Sequence, residues 1–350
     1  MRAYLTNPNL KRARRHRQRR TQRQRLSAKQ IFIGTSFIMA AAFTGLMIYF
    51  QIGQSGNAMA ATQGDFRTVS SGNWHTPRVW ETYNGSEWVS ASNPPNAASN
   101  TIEIRSGHTI LVNSKVTADQ VVINGEGRLV ADKGTLTITN GPGADLSGKG
   151  SVEINSSITL TKDAVAELEN CILSDKAKFD LQGQLVVTGK FTNNGGKMQI
   201  ESGHITIKDR ATYEHAFDGG SLPLATWAKN SFCEISGVCM TLPENMNQAF
   251  GNLKWNSQAQ NIPVDLAEGI EHIQNDLFIS STGTRDVYLD KAGKLKHITI
   301  PGNFHQQGGS VCISPNASVE LTVKGNVIFN AGMFAFNSNN STQNSSMTIG

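Results

Sequence analysis

Acidic residues are missing from the first thirty positions, where 11 Lys and Arg stand alone. Of 32 basic side chains that leaves 21 for the rest of the chain, against 27 Asp and Glu. The body is therefore mildly acidic, although the whole 350-residue chain carries a formal +5. A nucleic-acid partner would have to be held by the tail alone, so none is expected for the body. Cysteines number only four, with no CxxC pair and no Cys/His spacing of the zinc type, and no metal site or cofactor is expected. Aromatic residues make up 7% and charged residues 17% of the chain. No stretch beyond residue 60 carries a long helical period, which argues against a helical enzyme. At 38% hydrophobic the composition is neither that of a disordered chain nor that of a polytopic membrane protein.

What is abundant is turn chemistry. Glycine occurs 33 times and asparagine 30 times, a level that marks many tight turns.

The first sixty residues read as an address. Residues 1–30 form a basic tail that includes the run from Lys11 to Arg25. Residues 31–50, Ile31 to Phe50, are twenty positions without a charge. An α-helix of that length spans the roughly 30 Å of a bilayer core. A basic flank ahead of it orients the N-terminus to the cytoplasm. Residues 51–62 follow as a linker, in which Ala58, Ala60 and Ala61 suit a signal peptidase cutting after Ala60. The helix is then a cleaved signal or a retained inner-membrane anchor. Both outcomes engage the export machinery and place the body outside that membrane, secreted or at the cell surface. Export permits disulfides among Cys171, Cys233, Cys239 and Cys312. Three pairings are open, with Cys233–Cys239 across a turn as the candidate.

From Thr101 onward, four- or five-residue apolar runs alternate with Gly, Asn and Asp. They include 101–104, 108–112, 120–123, 135–138, 151–154, 157–160, 184–187 and 204–207. Each reads as a strand. An internal repeat organises them. ITIPGNFHQQGGSVCI from Ile298 matches LTVKGNVIFNAGMFAF from Leu321 at an offset of 23 residues. LVVTGKFTNNGGKMQI from Leu185 is a third copy 113 residues upstream of the first, and Met347 opens a fourth. Three short strands in about 23 residues predict one coil of a parallel β-helix, right-handed in this reading. Asn303 and Asn326 are expected to stack as an asparagine ladder between coils. The pattern stops inside a repeat, which leads us to expect a longer protein.

The predicted organisation is an N-terminal cap and solenoid over 63–212, an insertion over 213–260, and further solenoid repeats over 261–350. Trp74, Trp80 and Trp88 lie in the cap and are its candidate glycan contacts, against the simpler role of covering the first coil. The insertion holds Trp227, Trp255, Tyr213, His215 and Asp218, but no nucleophile is paired with a base there. GPGADLSG at 141–148 faintly resembles a calcium-binding turn and is better read as a plain corner.

These residues carry a resemblance. GDFRTVSSGNWHTPRVWETYNGSEWV, NTIEIRSGHTILVNSKVTADQVVI, the YEHAFDGGSLPLATW…SFCEISGV…NQAFGNLKWN segment and the GNF…GG repeats resemble large secreted β-repeat proteins of Bacteroidetes. The likeness covers residues 64–350. Such proteins are described as adhesin- or haemagglutinin-like, and many end in a type IX sorting domain, of which this sequence shows none. Ser257 stands where relatives commonly carry a cysteine after the WN pair. The resemblance implies no catalytic residues.

The function expected from the sequence is a non-enzymatic surface scaffold or adhesin touching glycans or matrix. One rival is a carbohydrate-active lyase or glycosidase, which needs carboxylates converging on one face of neighbouring coils. Glu103, Asp132, Glu153, Asp180 and Glu201 are instead scattered at outward positions. A membrane-anchored envelope protein with residues 31–50 retained is the other.

Overall fold

The computed structural model describes residues 60–337 and 342–350. The basic tail, the apolar segment 31–50 and most of the linker, Ala58 included, lie outside them. Among the described residues no helix is long and apolar enough to cross a membrane. One compact unit runs from Ala61 to Gly350. It is an all-β solenoid of about 11 turns.

The alternation written in the sequence becomes inside and outside. In Ile102–Ile104, Thr109–Val112, Thr135–Ile138, Ser151–Ile154 and Ser157–Leu160, every second residue is buried. Successive side chains of a strand point to opposite faces, so each apolar set is delivered inward together. A typical N-terminal coil places Ile102–Ile104 on a first face, Thr109–Val112 on a second and Val116–Ala118 on a third. The next coil repeats this with Val121–Ile123, Arg128–Ala131 and Thr135–Ile138. The strands pair in parallel from coil to coil, as in Ile102↔Val121, Ile110↔Leu129 and Val116↔Leu136. At about 4.8 Å per rung the rod is roughly 50 Å long.

The second face holds the longest ladder. Its inward row runs Ile110, Leu129, Val152, Cys171, Phe191, Tyr213, Cys233, Leu253, Leu277, Phe304 and Val327. This row links the repeat copies recognised in sequence, since Phe191 and Phe304 stand on it five rungs apart. It also revises the coil length. Partners are 19 or 20 residues apart at Ile110↔Leu129 and Cys171↔Phe191, but 23 at Ile298↔Leu321 and 27 at Leu277↔Phe304. The 23-residue period belongs to the later coils. Earlier coils are shorter because their corners hold fewer residues, as at the bulge between Leu168 and Asn170, where one continuous strand turns from the first face to the second.

Residues 213–260 are not an insertion. Thr212–His215, Phe232–Ile235 and Asn252–Asn256 are consecutive rungs of the second face. Trp227 and Trp255 are core residues. Phe179, Phe191, Tyr213, Trp227 and Phe250 form an internal aromatic column, each ring 5.1–6.4 Å from the next. Large rings there displaced the small β-branched residues that mark a rung elsewhere, and the repeat became unreadable.

The cap is a β-hairpin sheet with two tryptophans at its heart. Phe66–Thr68 pairs antiparallel with Trp80–Tyr83 and parallel with Ile102–Ile104, handing the hairpin onto the first coil. Trp74 and Trp80 are each 1% exposed and meet edge to face at 5.2 Å. Their indole N–H groups donate to the Pro95 and Trp74 carbonyls.

Glycine serves two different ends in the GN…GG repeat. Gly309 and Gly332 have φ of +72° and +99°, which side-chain-bearing residues rarely adopt. Gly302 and Gly325 are needed for room. A Cβ on Gly302 would lie 2.1 Å from the Asp276 carboxylate, and one on Gly325 would lie 2.6 Å from the Asn303 side chain.

Candidate functional site

The outward rows of the second face gather the chemistry. One row runs Glu153, Ile172, Thr192, Glu214, Glu234, Lys254, Phe278 and His305 on successive rungs. Its centre is a pair of carboxylates on adjacent rungs, Glu214 and Glu234. Glu214 receives Lys190 Nζ at 2.8 Å, the Thr192 hydroxyl at 3.0 Å and the Ser236 hydroxyl at 2.8 Å. Partial burial works against its charge, but Lys190 and the two hydroxyls outweigh that and hold it below the ordinary carboxylate range. Glu234 receives Lys254 Nζ at 2.9 Å and the Asn256 amide at 3.0 Å. A general acid needs a carboxyl that keeps its proton near neutral pH. Glu214 is tuned in the opposite direction, toward a fixed anion in a charged lattice.

Towards the C-terminus the face becomes aromatic. Phe278 and His305 stack at 4.4 Å with planes 6° apart, and Phe232 lies 5.8 Å from Phe278. Because Phe278 and His305 cover each other's faces, they offer ring edges more than a flat platform. His305 Nε2 lies 3.8 Å from Asp276. The residues from Thr192 to His305 span five strand spacings, about 24 Å.

The residues singled out by sequence are distributed differently. Trp74 and Trp80 are sealed in the cap and cannot stack on a glycan. Trp88 reaches the surface, but the Arg67 guanidinium lies 4.1 Å over its ring. Cys233 and Cys239 are free and form no disulfide. Cys233 points into the core between Tyr213 and Leu253, whereas Cys239 sits partly exposed beyond the turn, its amide bonded to Asp218. Burial pushes the Cys171 and Cys233 thiols far above the ordinary range and Cys312 up to about 11, so they behave as apolar side chains. Ser257 is buried and donates to the Ile235 carbonyl.

Asn303 lies in a side-chain ladder, as the repeat suggested. Its Oδ1 accepts the Asn326 amide at 2.8 Å. The ladder also includes residues that the sequence did not reveal. Asp276 accepts the Asn303 backbone and side-chain amides, and Asn252 accepts the Asp276 amide. Asp145, in the 141–148 turn, is buried and accepts the Gly141 and Val165 amides at 2.6 and 2.7 Å, as a corner does. Burial raises it above the usual carboxylate range, and burial followed by the Asp145 charge does the same to Asp119. Among the described residues no cluster of three or more His, Cys, Asp or Glu is arranged to hold a metal.

Tyr213, His215 and Asp218 are not one site. Tyr213 belongs to the aromatic column. Asp218 is an exposed anchor for the amides of Cys239, Met240 and Thr241. His215 is fully buried; its Nε2–H donates to the Gly219 carbonyl at 2.7 Å, and Nδ1 has no partner. Burial lowers its pKa, only partly offset by that bond. A histidine kept neutral in the folded state binds its proton more readily when unfolded. Its contribution is therefore present above the unfolded pKa of about 6.5 and is lost as pH falls below it, until the folded form also protonates. Urea midpoints measured between pH 7 and pH 5 should fall, and His215→Phe should flatten that slope; an unchanged slope would exonerate His215.

No protein family matches the chain, and no curated protein or solved structure shows significant similarity to it.

Proposed function

We propose that the solenoid is an exported, non-enzymatic surface rod that holds an extended glycan or matrix polymer along its second face. The observation that carries this reading is the outward row from Thr192 to His305, where fixed charges give way to aromatic edges over about 24 Å. Such a row suits a long ligand held by many weak contacts, whose summed avidity exceeds each one. The charge state of Glu214 supports binding over proton transfer. Export rests on the apolar segment 31–50 and the Ala58-Met59-Ala60 pattern. The compact unit beginning at Ala61 is compatible with removal of everything before it.

The test is binding of the purified chain to arrayed polysaccharides and matrix proteins, with reducing-end release measured alongside. Retention of at least one polymer, weakened about tenfold by the pair Lys254→Glu and Phe278→Ala, is expected. Turnover of a bound polymer would replace this reading with the carbohydrate-active enzyme. The N-terminus of the native protein, read by mass spectrometry, decides between a rod released at Ala61 and one anchored by residues 31–50.

A further inference from the structure

The cap closes two faces of the solenoid and leaves the third open. Phe66–Thr68 pairs with the first rung of the first face, and Gly72–Asn73 with that of the second. On the third face the first rung, Val116–Ala118, is the terminal strand of its five-stranded sheet. Its inner neighbour is Thr135–Ile138, and the Ala118 carbonyl accepts the Thr139 amide on that side. Backbone groups of a parallel strand alternate in direction, so the N–H and C=O of Thr117 point out of the sheet.

A groove of about 630 Å³ lies along this edge. Lys115, Val116 and Thr117 form one wall, and the loop 93–98 faces them across it, with Trp74 and His75 completing the lining. Ala97 and Ala98 are exposed and small, leaving the groove open on the loop side. The lining includes Lys115 and His75 and no carboxylate.

We propose that this groove binds an extended acidic polypeptide that adds itself as the missing first strand of the third face. Only a polypeptide offers alternating N–H and C=O groups at the repeat that an open edge presents, and this is the recognition mode of strand addition. The basic lining selects a partner bearing Asp or Glu beside the pairing residue. The shortness of the strand and the nearby prolines limit indiscriminate edge-to-edge pairing. The loop wall then admits one strand and not a sheet. The proposal is independent of the polymer row on the second face.

The test is panning of a displayed library of linear 12-residue peptides against the purified full chain, followed by titration of synthetic binders. Acid-containing peptides should enrich, and binding should weaken with added salt. Thr117→Pro removes the outward N–H, a position where an edge strand tolerates proline, and should weaken binding at least tenfold. Ala98→Trp, which fills the groove from the loop, should do the same without touching the strand. Lys115→Glu should turn the preference towards basic peptides. Absence of any enrichment would overturn the proposal. So would binders indifferent to both Ala98→Trp and a Thr117→Pro variant that melts like the parent.

Discussion

Replacing Phe191 by alanine is expected to destabilise the solenoid by about 3–5 kcal/mol, at the high end of large-to-small core changes. Phe191 is fully buried and stacks on Phe179 at 6.3 Å and on Tyr213 at 5.9 Å. Those neighbours are rigid rings fixed to strands of adjacent coils, and the strand spacing holds them apart. The cavity therefore cannot collapse as it would in a helical core. A solenoid coil contacts only its neighbours, so a weak coil also uncouples the stretches on either side of it. Urea unfolding of the variant should show a lower midpoint and a broadened or two-step transition. Leu224→Ala is the control, since Leu224 is 67% exposed and should shift stability by no more than about 0.5 kcal/mol. Equal effects for the two would mean that the aromatic column is not what couples the coils.

The regular coils were legible because their residues answer one demand at a time. Thr135–Ile138, Ser151–Ile154, Ser157–Leu160 and His204–Ile207 are the runs expected from alternation alone. Inward positions there need only be apolar, and outward ones only soluble. Legibility failed where one position served two demands. At Tyr213, Trp227 and Phe250 the interior is filled by rings from strands and corners together, and the two-residue period is diluted by long connections. Cys233 and Cys239 looked like neighbours in sequence, yet alternation sends Cys233 inward and the following turn leaves Cys239 at the surface.

The functional row was harder to see for a geometric reason. Its members come from successive coils about twenty residues apart, with variable spacing, and no local motif marks them. Glu214 and Glu234 become adjacent only through the pairing of Thr212–His215 with Phe232–Ile235. The register that would reveal the row is the one hidden in the stretch read as an insertion. Asn303 and Asn326 were recognisable because both follow a glycine at a fixed offset. Asn252 also follows a glycine, but its rung lies a different distance away, and Asp276 follows Asn275 instead.

Asn252→Leu is expected to cost about 3 kcal/mol, whereas Asn326→Ala should stay within about 0.5 kcal/mol. The two asparagines occupy equivalent places on the ladder but not equivalent surroundings. Asn252 is 2% exposed; its Oδ1 accepts the Asp276 amide and the Asn275 side chain, both at 3.0 Å, and its Nδ2 donates to the Ser231 carbonyl at 2.8 Å. Leucine would leave the Asp276 amide without its partner and weaken the satisfaction of the Ser231 carbonyl, in a place water cannot easily reach. An unpaired buried group costs more than the bond was worth. Asn326 is exposed and supports no later rung in this way. The ladder also does what the apolar core cannot. Stacked Ile, Leu and Val are nearly interchangeable between coils, so hydrophobic contact alone tolerates a slipped register. A side-chain amide that must meet one backbone N–H in the next coil is directional. Amide hydrogen exchange of Asn252→Leu should therefore show lost protection at Asp276 and on the rungs that follow it. Loss confined to global stability, with local protection unchanged, would reduce the ladder to ordinary packing.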